Sequence, residues 1–150
     1  HNRSRLSAEH ETECKASYVS KAELLAQADH VVLVVPYSKE AHHTIGAAEL
    51  ALMKPTATLV NIARGGIVDD VALAKALQSG QIAAAGLDVF EGEPKVHPEL
   101  LKCNNVVLTP HIASSTKSTR LGMAMLAANN LISFFKEGKV LTPLNPEVLA

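Results

Sequence analysis

Tryptophan is absent from this chain, and the aromatic share is only 3%. So few rings argue against a stacking platform for single-stranded nucleic acid. Cysteine is also scarce: Cys14 and Cys103 stand far apart, with no CxxC pair. That is too sparse for a disulfide scaffold and reads as two reduced thiols of a cytoplasmic protein. Neither sign of charge dominates. Fourteen basic against 15 acidic residues give a formal net charge of −1, which argues against a bulk electrostatic grip on nucleic acid or a membrane. No apolar run approaches the roughly 18–20 residues of a membrane span; the longest, Val31 to Pro36, has the length of a buried strand. The opening His1-Asn-Arg-Ser-Arg5 lacks a methionine and is neither a secretion signal nor a tag. The expectation is therefore a portion of a longer protein.

What is present is an alternation of strand and helix. The chain has 150 residues, 47% of them hydrophobic, enough for one domain with a real core. Ala16–Val19 suits a short strand. Ser20 to Glu23 reads as a capping box opening a helix that ends near Asp29. The uninterrupted run His30 to Val35 predicts a strand covered on both faces, hence a parallel sheet. A short helix over Ala47–Met53 is stopped by Lys54-Pro55. Thr58–Ile62, Ile82–Val89 and Val106–Leu108 are further strands. Between the first two, Asp69 or Asp70 caps a helix running to Ser79, where Gly80 ends it. After Ser114 a long helix extends to about Lys136. Its Leu121, Met125, Ala128, Ile132 and Phe135 share one face, which suits a core or domain contact. The pattern gives an α/β, doubly wound, Rossmann-like parallel sheet over 1–113, with a C-terminal helix and tail over 114–150.

In such sheets ligands bind at the carboxyl ends of the strands, and the polar features here cluster there. Pro36 follows one strand, Arg64 the next, Asp88 and Glu93 the third, and His111 the fourth. An arginine fork suits a carboxylate bidentately. A histidine suits proton transfer near neutral pH, and an acid beside it orients the ring. Together they fit reduction of a 2-oxo acid, whose hydride must come from a cofactor. Other clusters are weaker. His42-His43 has no third ligand at a helical or turn spacing, and His10-Glu11 lacks the second histidine of HExxH. No metal site is expected. Asp69-Asp70 reads as a helix cap rather than a catalytic pair.

The order of motifs resembles the D-isomer-specific 2-hydroxyacid dehydrogenase family. The matching pieces are Val35-Pro36, Asn61-Ile-Ala-Arg-Gly-Gly66, Ala85-Gly-Leu-Asp-Val-Phe-Glu-Gly-Glu-Pro94, Pro98-Glu-Leu-Leu101 and Asn105-Val-Val-Leu-Thr-Pro-His-Ile-Ala113. The resemblance implies that Arg64 binds the substrate carboxylate, that His111 is the general acid and base, and that Glu93, rather than Glu91, pairs with it. It implies that Ile62, Ala63, Arg64, Asp88, His111 and Ala113 lie toward the nicotinamide half of the cofactor, and Val35 and Pro36 toward the adenosine half. The segment after the second strand of the family reads the adenosine ribose. Here it is Asn2-Arg3-Ser4-Arg5 with no acid, which favours NADP over NAD.

Three departures matter. The GxGxxG phosphate loop and most of the substrate domain fall outside the sequence, and Ala41 stands where relatives often carry Thr or Asn. The implied activity is reduction of glyoxylate, hydroxypyruvate or 2-ketogluconate by the parent enzyme, a homodimer in the family. The 150 residues alone are expected to be inactive. The alternative is a non-catalytic NAD(H)-binding scaffold like the C-terminal-binding-protein corepressors.

Overall fold

The computed structural model describes residues 1–149. Strands β1 (His30–Leu33), β2 (Thr58–Asn61), β3 (Ala84–Leu87) and β4 (Val106–Leu108) form one parallel sheet in sequential order. The register aligns Val32 with Val60, Val60 with Gly86, and Gly86 with Val107. Helices α1 (Ala8–Glu13), α2 (Lys21–Gln27), α3 (Ala47–Leu50) and α4 (Asp70–Gln78) belong to the same unit, which ends at His111. This is a Rossmann-like arrangement.

Local chemistry explains the helix ends. The Ser20 hydroxyl accepts from the Glu23 N–H while the Glu23 carboxylate accepts from the Ser20 N–H, so the capping box is complete. Asp69 caps α4, its Oδ1 accepting from the N–H groups of Val71 and Ala72. Such a cap is worth about 1 kcal/mol. Gly80, at φ +71°, turns the chain out of α4.

The core joins Leu25 of α2, Leu50 of α3 and Leu73 of α4 to Leu59, Ala85 and Leu87 of the sheet. All these helices lie on one sheet face. Sequential parallel strands joined by right-handed crossovers place every connecting helix on the same side. Within residues 1–149, β1 is covered on one face only. Val31 and Leu33 are buried, but Val32 is 52% and Val34 70% exposed. The strand expected at Ala16–Val19 is also absent. Its backbone is tied to α1 instead: the Ala16 N–H donates to the Glu11 carbonyl and the Tyr18 N–H to the Glu11 carboxylate. β2 and β3 are shorter than the apolar runs that announced them, since pairing stops where the loops turn away, while β4 spans Val106–Leu108 as expected.

A second compact unit starts at Ile112. Its helix α5 (Lys117–Glu137) begins at Thr116, whose hydroxyl accepts from the Thr119 N–H, and stops at Gly138 in the left-handed region. Asn130 ties the tail back, accepting from the N–H groups of Leu141 and Thr142. The apolar stripe expected to make a core or domain contact is not buried within these residues. No residue of α5 is buried, and Phe135 is 80% exposed. One helix and a short tail offer no second apolar layer to pack on. Among the described residues, no helix is long and apolar enough to cross a membrane.

Candidate active site

The loops leaving the carboxyl ends of the strands are locked to one another. After β2, the buried Asn61 side chain spans the turn: Nδ2 donates to the Arg64 carbonyl and Oδ1 accepts from the Ala63 N–H, each at 3.1 Å. This is a side chain standing in for a backbone turn. It fixes the main chain of Ile62–Arg64 and lifts the Arg64 side chain into solvent, where Nη1 touches the Ala63 carbonyl at 2.7 Å. Gly65 then passes so close to the next loop that a Cβ would sit 1.8 Å from the Phe90 carbonyl oxygen. Only glycine permits that approach.

After β3, the Asp88 N–H donates to the Asn61 carbonyl, and the buried Asp88 carboxylate accepts from the Thr109 hydroxyl at 2.6 Å. The following loop folds on itself. The Phe90 N–H donates to Glu93 Oε1 at 2.9 Å, and the Glu91 N–H donates to Asp70 Oδ2 at 3.1 Å. Burial, ahead of the repulsion from Glu91 and Asp69, pushes the Asp70 carboxyl up, although the Glu91 N–H opposes the shift.

After β4, the Thr109 N–H donates to Leu87 and the His111 N–H returns to the Thr109 carbonyl, placing His111 at φ +52°. Its Nδ1 lies 2.8 Å from Glu93 Oε2. The hydrogen bond from His111 is the main reason that the Glu93 carboxyl is held below its ordinary value, with the Phe90 N–H adding to it and burial opposing it. No described residue hydrogen-bonds His111 Nε2.

These loops border an open cleft of about 930 Å³. Val35, Pro36, Ile62, Arg64, Glu93 and His111 all line it, as does Ala63. Asp88 lies buried among the strand-end loops. Asn2, Arg3, Ser4 and Arg5 are all exposed. Arg5 is engaged: its Nε and Nη2 reach the two Glu11 oxygens at 2.8 and 3.2 Å. Arg3 makes no ion pair among the described residues, but its charge reaches Glu40. That carboxyl is held low first by its own backbone N–H and the Ser38 hydroxyl, with a smaller contribution from Arg3. Ala113 falls in the second unit. Sequence reasoning missed Asn61, Gly65 and Asp70 as organisers of the site. Asn61 and Gly65 could have been suspected as a turn-forming amide and a tight glycine, but the Asp70 contact spans 21 residues and leaves no local signal.

The arrangement places a guanidinium and an imidazole–carboxylate pair around one opening, able to hold an anion and pass a proton beside it. The family model described as D-isomer specific 2-hydroxyacid dehydrogenase, NAD binding domain, matches residues 1–113. The glyoxylate reductase of Thermococcus onnurineus (strain NA1) is 57% identical over 93% of this chain and 42% of its own length. The crystal structure of a glyoxylate reductase from Paecilomyes thermophila superposes with TM-score 0.85 at 43% identity, covering 97% of this chain and 44% of that one. The NADPH-dependent glyoxylate/hydroxypyruvate reductase of Sinorhizobium meliloti, in complex with NADP and malonate, gives TM-score 0.80 at 39% identity, with 86% and 40% covered. The chain thus spans less than half the length of the relatives it matches.

Proposed function

The chain belongs to the D-isomer specific 2-hydroxyacid dehydrogenase family, and we propose that the whole protein reduces a small 2-oxo acid, glyoxylate or hydroxypyruvate foremost and 2-ketogluconate as a rival, to the D-2-hydroxy acid. The observation that carries this is the meeting of Arg64 and the Glu93–His111 pair on one cleft. Arg64 grips the substrate carboxylate through two parallel N–H donors and polarises the adjacent carbonyl. His111 gives its Nε2 proton to the carbonyl oxygen as carbon is reduced, and takes it back in the reverse direction. Glu93 holds Nδ1 and so fixes the plane of the ring. A reduced nicotinamide cofactor, when bound, supplies the hydride.

The residues present fit such a group. Val35, Pro36 and Ile62 give the cleft an apolar wall against which a flat ring can lie, and the main chain of Ile62–Arg64, fixed by Asn61, would face it. Asp88, whose N–H donates to the Asn61 carbonyl and whose carboxylate accepts from the Thr109 hydroxyl, links the ends of β2 and β4 beside it. Arg3 supports a preference for NADP: it lies in the segment that in the family reads the ribose and, unlike Arg5, makes no ion pair among the described residues. The family resemblance supports a homodimer, which light scattering on the full-length protein tests. Loss of NADPH absorbance on adding glyoxylate or hydroxypyruvate tests the activity. Turnover with one of the three 2-oxo acids is the expected result. No turnover with any of them, with cofactor-dependent dimerisation retained, would instead favour a corepressor-like scaffold.

A further inference from the structure

One cluster bordering the cleft has no part in the chemistry above. Tyr37, His42 and His43 meet Glu91, which arrives from the far end of the β3 loop. Adjacent residues in extended chain point their side chains to opposite sides. Here His43 adopts φ +51°, and the two imidazoles stack at 3.8 Å between centroids. Both rings thereby turn Nε2 toward the same carboxylate. His43 Nε2 is 2.8 Å from Glu91 Oε2, and His42 Nε2 is 3.8 Å from Oε1.

From this we infer that His42, His43 and Glu91 form a binding site for a single divalent d-block cation such as zinc or cobalt. One donor atom from each residue lies within 4.8 Å of the others. Metal–ligand bonds of about 2.0–2.1 Å set neighbouring tetrahedral donors about 3.3 Å apart, so closure requires the two rings to rotate out of their stacked arrangement until both Nε2 lone pairs converge on one point. Two imidazoles and one carboxylate suit zinc-like ions rather than magnesium or calcium, which prefer oxygen throughout.

The surroundings carry the inference further than the three donors alone. Metal-bound histidines characteristically engage their other nitrogen with an oxygen. The Nδ1 of His42 meets the Tyr37 hydroxyl at 3.3 Å, and the Nδ1 of His43 faces Asp69 Oδ2 at 3.9 Å. Each ring therefore has an oxygen behind it and its Nε2 directed at the shared carboxylate. The backbones are anchored as well: the His43 N–H donates to the Gly66 carbonyl, and the Glu91 N–H to Asp70. Three protein ligands leave the remaining position to water, and the half-open rim gives the ion a way in.

The test is calorimetric titration of tag-free, metal-stripped, full-length protein with zinc, with the absorption spectrum of the cobalt form alongside. One equivalent per chain and a tetrahedral cobalt spectrum are expected, with magnesium failing to compete. His42→Ala and Glu91→Gln should each weaken binding about tenfold or more, with circular dichroism unchanged. Tyr37→Phe should weaken it less. His10→Ala, which removes a histidine outside the cluster, should match the parent. Absence of binding, or binding that is unaltered in both His42→Ala and Glu91→Gln, would overturn the assignment, as would an equal loss in His10→Ala.

Discussion

The loop after β3 makes two glutamate–histidine pairs only two residues apart. Glu91 holds His43 and Glu93 holds His111, each at 2.8 Å. Their lengths are the same, so distance does not tell them apart; the second nitrogen does. His43 faces an oxygen from both nitrogens, Glu91 at Nε2 and Asp69 at Nδ1. His111 spends Nδ1 on Glu93 and keeps Nε2 clear of the described residues, on a cleft that Arg64 shares. A ring with an oxygen facing each nitrogen can brace a loop or join its carboxylate partner in binding a cation. A ring with one nitrogen open to a cleft can move a proton. The two pairs therefore suit different work with the same two residue types.

The comparison breaks most sharply at His111. His111→Ala should lower kcat by ~10²–10⁴ in the full-length protein, measured with saturating glyoxylate. A loss of less than about twofold would remove proton transfer from this pair and erase the distinction. Arg64→Ala should cost about 10- to 100-fold in kcat/KM, since a charge-assisted hydrogen bond is worth about 1.5–3 kcal/mol and each 1.4 kcal/mol is tenfold. Arg64→Lys should recover only part of it, because an ammonium lacks the planar fork. Full recovery would show that charge alone, not bidentate geometry, is read.

Gly65 tests whether the shared loop must keep its close approach. A methyl group there would enter the Phe90 carbonyl, so Gly65→Ala should lower stability by about 1–3 kcal/mol, visible in a denaturant midpoint. This contact also shows where the sequence is silent. Caps are local: Ser20 with Glu23, Asp69 with the first turn of α4, and Gly138 at the end of α5 were each legible because donor and acceptor lie within four residues. The strand ends that carry Arg64, Glu93 and His111 were legible through motif order. What was not legible depends on partners far along the chain. Glu91 reaches His43 across 48 residues, which is why a search at helical or turn spacing finds only two of the three donors. A run such as Val31 to Val35 reads the same whether one sheet face is covered or both; the one-sided crossovers decide, and they are a property of topology. The stripe on α5 has the period of a core helix, but period cannot state what packs on it.

On the other pair the expected effect is smaller. His43→Ala in metal-free protein should lower stability by less than about 1 kcal/mol, the range of an exposed ion pair, since the side chains are 36% and 42% exposed. A larger drop would mean that the stacked histidines brace the β3 loop more than their exposure implies.

The smallest effect carries the clearest sign. Glu93 has its carboxyl lowered from 4.5, chiefly by the His111 hydrogen bond. A folded-state value below the unfolded one means that the unfolded chain binds more protons in that window. The stabilisation is then complete above the unfolded value and is lost as pH falls through the folded one. Asp70, two residues beyond the core residue Val68, behaves oppositely: burial raises its carboxyl from 3.8. The folded chain then holds the proton longer, so ionisation of Asp70 opposes folding as pH rises through this range. Melting temperatures measured from about pH 6 down to about pH 3 should therefore separate the two. The advantage of the parent over Glu93→Gln should shrink on acidification, while its standing relative to Asp70→Asn should improve. Asparagine can still accept the Glu91 N–H through its amide oxygen, so that variant isolates the charge from the hydrogen bond. If both differences ran in the same direction with pH, the Glu93–His111 contact would not be a charge-stabilised pair in solution, and the contrast between the two histidines would rest on exposure alone.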